Sequence, residues 1–268
     1  MKRIIFVLGL VILIAGLSAQ DQQQEPAVPL ELQKDLAFGV GEKLHYKVRY
    51  GLLNAGKIEL EVESATTVNE QELLHIVGRG WSVGMTEWFF KVRDRYETYF
   101  DTELMAPTEF IRDVDEGGYT IKRHVLFDHE AGTATDLEAP EKGPFTIPAG
   151  VQDVFSTLYY ARSFDLSGIQ EGDVIDLSMF LDHKLYPFQL KYLGDEVLKT
   201  DFGKLNCKTF MPRLQEGRIF KDEEGMTIWV SDDHNHLPVL LQTSLLIGNL
   251  KAELTHFDNL KYPLNLQK

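Results

Sequence analysis

Gly80-Trp81-Ser82-Val83-Gly84 is a literal G-x-S-x-G. In serine hydrolases that pattern lifts a serine onto a sharp strand-to-helix turn, where it can attack an acyl carbon. Asp232 and His256 follow in the chain order that would complete a triad. The surroundings do not suit the chemistry. A nucleophile elbow sits in a parallel sheet with helical crossovers, whereas the stretch before Ser82 follows an antiparallel hairpin pattern. No glycine-rich oxyanion segment precedes it. Ser82 is therefore expected to be structural, in a glycine-rich bend that feeds "MTEWFFKV".

"SDDHNH", residues 231–236, gathers two carboxylates and two imidazoles. On a strand, Asp232, His234 and His236 would share a face and could hold zinc or another divalent ion. No third, separated ligand group stands out, and Asp and Asn suit turns. The expectation is a polar turn, with those three residues as weak metal candidates only. "DVDEGG", residues 113–118, resembles part of a calcium loop, but a full loop needs twelve residues and a terminal glutamate. A hairpin turn is expected there instead. No cofactor is expected.

The elements that must carry these residues are mostly strands. Leu44, Tyr46, Val48 and Tyr50 alternate with Lys43, His45, Lys47 and Arg49; Ile58, Leu60 and Val62 alternate with Lys57, Glu59, Glu61 and Glu63. Period two on both sides of "GLLNAG" makes a hairpin, one outer face basic and the other mostly acidic. Further strands are expected at 93–101, 108–114, 119–128, 174–181, 185–193, 205–211, 226–231, 239–246 and 250–257, with Gly248-Asn249 as a two-residue loop. Short turns imply antiparallel pairing. One segment differs. Val151, Val154, Phe155, Leu158 and Tyr159 recur at helical spacing, which predicts an amphipathic helix over 150–165. It separates two halves, 37–148 and 170–262, that open alike at "GVGEKLHYKV" and "QEGDVIDLSM". Arg162 falls on the apolar side of that helix. A buried guanidinium requires a partner, and Asp232 is the first choice for an ion pair; the alternative is an arginine that snorkels to water.

The N-terminus reads as an export signal. Lys2 and Arg3 precede an apolar run from Ile4 to Ile14, then Gly16-Leu17-Ser18-Ala19 offers small residues for cleavage after Ala19. Eleven apolar residues are short for a membrane span. Residues 1–19 are read as a signal peptide, 20–36 as a disordered leader and 37–262 as one β-rich domain. With no cysteine near the cleavage site, no lipid anchor is expected. The formal charge of −14, or −16 without Lys2 and Arg3, argues against a nucleic-acid partner. Cys207 is the only cysteine, so no internal disulfide can form; a buried, inert thiol is expected.

Five blocks carry a family resemblance: "FGVGEKLHYKVRYGLLNAGKIELEV", "VRDRYETYFD", "GVQDVFSTLYYAR", "GKLNCKTFMP" and "IWVSDDHNHLPVLL". In this order they resemble the bacterial family catalogued as domain of unknown function 3108, from about Phe38 to Leu260. The resemblance implies a bacterial, exported, β-rich envelope protein. It brings no activity and no catalytic residues. Asp153, Tyr160, Arg162 and Asp232 lie in its blocks, whereas a serine at position 82 is not required. The architecture is also similar to lipoprotein carriers, in which a curved sheet wraps a helix and holds acyl chains.

The resulting expectation is a mainly β fold, a strongly curved antiparallel sheet or open barrel around one central amphipathic helix. One helix about 10 Å wide cannot cover a sheet of many strands about 4.8 Å apart. An apolar groove is therefore expected, lined by Val154, Phe155, Leu158, Tyr96, Phe100 and Trp229. It would take a lipid, another apolar molecule or a segment of an envelope protein. The rival readings are an exported hydrolase, using Ser82 or the Asp232–His236 cluster, and an envelope interaction scaffold without a small ligand.

Overall fold

A computed structural model describes residues 26–68, 70–214, 225–244 and 248–267. The proposed signal peptide, 1–19, lies outside the described residues. One 14-stranded sheet dominates, in the order β8-β7-β6-β5-β4-β3-β2-β1-β14-β13-β12-β11-β10-β9. The first half supplies β1 (Lys43–Tyr50), β2 (Leu53–Val68), β3 (Gln71–Ser82), β4 (Val92–Asp101), β5 (Ala106–Glu116), β6 (Tyr119–Asp128), β7 (Thr133–Asp136) and β8 (Phe145–Thr146). The second supplies β9 (Val174–Leu181), β10 (Lys184–Thr200), β11 (Gly203–Leu214), β12 (Met226–Ser231), β13 (Pro238–Ser244) and β14 (Asn249–Asp258). Each half is a meander, and β1 and β14 join them in antiparallel register.

The alternation seen in the sequence is the alternation of burial. Leu44, Tyr46 and Val48 point inward from β1. On the outer face Lys43 stands opposite Glu61 and bonds it at 2.7 Å, while His45 stands opposite Glu59. Bulges between His45 and Tyr46, Val48 and Arg49, Val62 and Ser64, Tyr99 and Phe100, and Tyr192 and Gly194 interrupt the ladders. Bulges sharpen local twist, and here they roll the sheet. The edge strands β8 and β9 do not pair. Instead Gln152 makes a bridge to Met179, and the β9–β10 turn meets the first half through side chains: Asp182 with Arg112 and Arg123, and His183 with Asp136.

The two halves open alike. Gly41 donates its amide to Val62 O and Val62 donates to Glu42 O; Gly172 donates to Tyr192 O and Tyr192 to Asp173 O. Gly41 and Gly172 have φ of 90° and 97°, a conformation that glycine adopts without steric cost.

Three expectations need correction. The helix is short: α2 covers Ser156–Ala161 only. Upstream, the Gln152 backbone is committed to the β9 edge, donating to Ser178 O and accepting from Phe180 N. Asp153 then starts the helix, its Oδ1 accepting from the Phe155 and Ser156 amides at 2.6 and 2.7 Å. Such a carboxylate satisfies amides that have no partner at a helix start. Second, residues 28–33 are tied down. Val28 donates to Val174 O, Gln33 donates to Ser163 O, and Leu32 bridges Phe164. Val28 and Leu30 give this piece apolar area to bury, which the polar "QDQQQ" before it lacks. Third, Ser244 pairs with Asn249, so Gly248-Asn249 is not the β13–β14 loop; residues 245–247 lie outside the described residues.

Candidate functional site

The 151–164 segment crosses the inside of the rolled sheet and divides it. Toward β2–β5 the space is filled. The Phe155 ring packs onto Gly78, where a Cβ would come within 2.6 Å of it. Tyr159 meets Phe38 with ring centroids 4.8 Å apart, and Phe38 meets Phe100 at 6.1 Å. Tyr96 and Phe100 are fully buried in this packed side. Toward β9–β13 the space is not filled. A cavity of about 110 Å³ lies between α2 and the sheet. Val154, Leu158 and Ala161 form one wall; Ile175, Leu177, Met179, Phe188, Phe210 and Ile228 form much of the other. Arg162 and His236 are the charged and titratable members of its lining.

The cavity reassigns the expected groove residues. Val154 and Leu158 line it. Phe155, Tyr96 and Phe100 do not; they fill the opposite side of the segment. Trp229 faces outward, because its strand neighbours Ile228 and Val230 take the inward positions, and its indole N–H donates to Glu196. The size matters too. A dry cavity of about 150 Å³ lined by Leu, Ile and Phe takes benzene. At about 110 Å³ the space here is somewhat smaller than that one, so it suits a small ring or a short branched group.

Arg162 pairs with Glu42 and not with Asp232. Its two terminal nitrogens donate to the two Glu42 oxygens at 2.7 and 2.8 Å, and Nε donates to Asn235 O at 3.0 Å. The guanidinium lies 5.2 Å from both the Phe38 and Tyr159 ring centres. Both partners are about 2% exposed or less. Burial is the largest single influence on the Arg162 pKa and works to lower it, but the Glu42 charge and hydrogen bonds, with smaller contributions from Tyr159 and Tyr46, together outweigh it and the net shift is upward. Asp232 instead turns to Lys208, 3.3 Å away, near the surface. Glu42 was missed although its signal is legible: it shares the phase of Leu44, Tyr46 and Val48, so the β1 alternation extended by one residue puts a carboxylate inside.

The "SDDHNH" turn is consumed by its own scaffolding. Asp233 Oδ1 accepts from Ser231 Oγ and the Asn235 amide. Asn235 donates to Tyr262 O and accepts from the Tyr262 amide. His236 Nδ1 donates to Arg162 O at 3.0 Å, and its burial lowers its pKa. His234 reaches Gln33. Asp232, His234 and His236 thus serve three separate partners, and no group of three metal-ligating side chains occurs among the described residues.

Ser82 ends an antiparallel strand. Its buried Oγ accepts from the Val92 amide at 3.0 Å, and the helix that follows, α1 (Met85–Phe89), has five residues. Cys207 is buried, and burial pushes its thiol up to about 12. No described helix is long and apolar enough to cross a membrane.

Residues 45–255 match the family model described as protein of unknown function, DUF3108. The chain belongs to this family. No curated protein matches it. Among solved structures, it is similar to a β-barrel-like protein of the domain of unknown function DUF1849 from Brucella abortus, with 10% identity, a TM-score of 0.54, and coverage of 82% of this chain and 97% of that one. A Bacteroides fragilis protein with a YmcC-like fold, provisionally named as exported, gives 8% identity and a TM-score of 0.36 over 84% of this chain and 98% of its own. A DUF1089 family protein from Pseudomonas aeruginosa gives 12% identity and a TM-score of 0.35 over 71% and 90%. At such identities the first likeness speaks for the fold alone.

Proposed function

We propose that this DUF3108 protein is exported through residues 1–19 and acts in the cell envelope as a non-enzymatic binder of a small apolar group. The observation that carries the reading is the cavity of about 110 Å³ beside α2, walled by aliphatic and aromatic side chains. Concave, mostly apolar pockets with a few polar groups at the edge are what small ligands occupy. Arg162 and His236 are among the polar members of the cavity's lining, and the Arg162 carbonyl accepts from both Gln33 Nε2 and His236 Nδ1. The ligand class that fits is a ring or a short branched alkyl group, whose polar remainder would stay outside. Residues 37–262 act as one unit in this reading, because a single sheet takes strands from both halves.

The test is thermal unfolding in the presence of benzene, a ligand of the size the cavity sets. Benzene should raise the unfolding temperature of the parent chain, because a ligand that binds only the folded state stabilises it, and Leu177→Trp, which fills the cavity, should lose that rise while keeping the fold. An equal rise in both proteins would rule the cavity out. No rise in either would favour the interaction scaffold.

A further inference from the structure

The strongest unassigned surface feature lies at one end of the sheet. β1 ends at Tyr50 and β2 begins at Leu53, so their turn sits at the same end as the β3–β4 connection, which holds α1. The two are neighbours: Gly56 pairs with Ser82, and Val83 donates to Ala55 O. Their apolar residues point away from the protein. Leu52 is 101% exposed, Trp88 89%, Phe89 85%, Met85 67% and Leu53 55%. Phe90 beside them is partly buried, its ring packed on Gly117, and so anchors the connection that presents Trp88 and Phe89.

Exposed large apolar side chains scattered singly need no explanation, but a contiguous group marks a binding site. Charge identifies what fits. Lys57, Lys91 and Arg93 stand just behind the apolar tips, and Arg49 and Lys251 face each other on β1 and β14. Glu87, Glu116 and Asp115 are the acids around α1: Glu87 bonds Arg93, Glu116 is buried opposite Val92, and Asp115 stands opposite Arg93 in the ladder, while Arg49 pairs with Glu253. On the same outer faces Glu61 and Glu63 lie farther toward the other end, where Glu61 pairs with Lys43. The balance behind the tips is thus basic, in a chain of net charge −14. Overall repulsion from an anionic surface is screened beyond roughly 8 Å at physiological salt. At contact the local basic residues decide.

We propose that this end of the protein docks on a phospholipid bilayer containing anionic lipid, with Leu52, Met85, Trp88 and Phe89 entering the headgroup and upper acyl region. Tryptophan settles at that depth because one end of its ring system is apolar and the other polar. The basic residues then lie at headgroup level, where each contributes to attraction. A protein partner fits less well. Five side chains on two narrow, protruding connections fall far short of the roughly 20–30 residues a side of a stable protein interface.

The test is co-sedimentation with vesicles of phosphatidylethanolamine and phosphatidylglycerol, against vesicles of phosphatidylcholine alone. The chain should bind the anionic vesicles more strongly, and raised salt should reduce that preference. Trp88→Ser/Phe89→Ser should weaken binding by about 100-fold, since two aromatic side chains lose their burial. Its unfolding temperature should stay that of the parent, because both residues are exposed. Lys91→Glu should lower the preference for anionic lipid without changing binding to phosphatidylcholine. In the parent, Trp fluorescence should shift to the blue on vesicles, and Trp88→Phe should remove that shift. Unchanged vesicle binding in the double variant would overturn the proposal. So would a parent dimer in sedimentation that the double variant converts to monomer, which would assign the patch to self-association.

Discussion

Replacing Glu42 with Gln tests the buried ion pair inside the sheet. The substitution keeps the shape of the side chain and removes its charge. Arg162 would keep Asn235 O and the faces of Phe38 and Tyr159, but it would lose the carboxylate that takes both terminal nitrogens at 2.7 and 2.8 Å. Because both groups are about 2% exposed or less, water cannot replace the lost partner without opening the core. Breaking a buried pair from one side costs about 3–5 kcal/mol. In a domain of this size, 1 kcal/mol moves the midpoint of thermal unfolding by about 2–4 °C, so the drop should be about 6–20 °C. Removing both charges is different. Glu42→Gln with Arg162→Met should recover much of the loss, because an apolar replacement of a buried pair is often neutral or stabilising. The assay is thermal and urea unfolding of both single variants and the double. Additive losses, or a Glu42→Gln loss below about 1 kcal/mol, would refute a tightly coupled buried pair.

Other outcomes follow from the same geometry. Burial first, and the neighbouring Glu116 second, raise the Asp94 pKa to about 8. An acid that holds its proton more tightly when folded favours the folded state below its unfolded pKa, near 4, and loses that contribution as pH rises through about 8. Asp94→Asn should therefore match the parent near pH 4, exceed it in stability above pH 8, and flatten the decline between, as measured by urea unfolding across pH. Gly78→Ala forces the Phe155 ring to move, since the new Cβ would lie 2.6 Å from it, and should cost about 1–3 kcal/mol, read from the unfolding midpoint. Ser82→Ala leaves the Val92 amide without its acceptor and should cost about 1–3 kcal/mol. A fluorophosphonate probe should label neither parent nor variant, and labelling of Ser82 would restore the hydrolase reading.

Much of the fold was legible because it rests on period two. β9 and β12 begin and end where the sequence pattern does, and the inward phase of β1 and β4 follows directly from alternation. The helix was less legible. Its apolar spacing runs from Val151 to Tyr159, yet the backbone of Gln152 is held by a strand edge distant in sequence, and Asp153 caps what remains. Periodicity reports which residues are buried, and a buried extended segment can imitate a helix over a few residues. The ion pair failed for a related reason. Asp232 is prominent because it stands in a charged cluster, whereas the partner that Arg162 uses is a single glutamate 120 residues away, identified by phase alone. The groove was legible in kind and not in extent. Val154 and Leu158 line the cavity, but which side of the 151–164 segment is filled depends on Gly78 making room for Phe155, a contact that no local pattern encodes.

The most direct test of the binder reading is native mass spectrometry of the protein recovered from the cell envelope, with Leu177→Trp purified in parallel. The parent should carry a non-covalent apolar adduct, released by organic solvent, and the filled variant should carry none while keeping its fold. A parent free of adduct under conditions that preserve weak complexes, or an adduct of equal occupancy in Leu177→Trp, would contradict a ligand in the cavity beside α2.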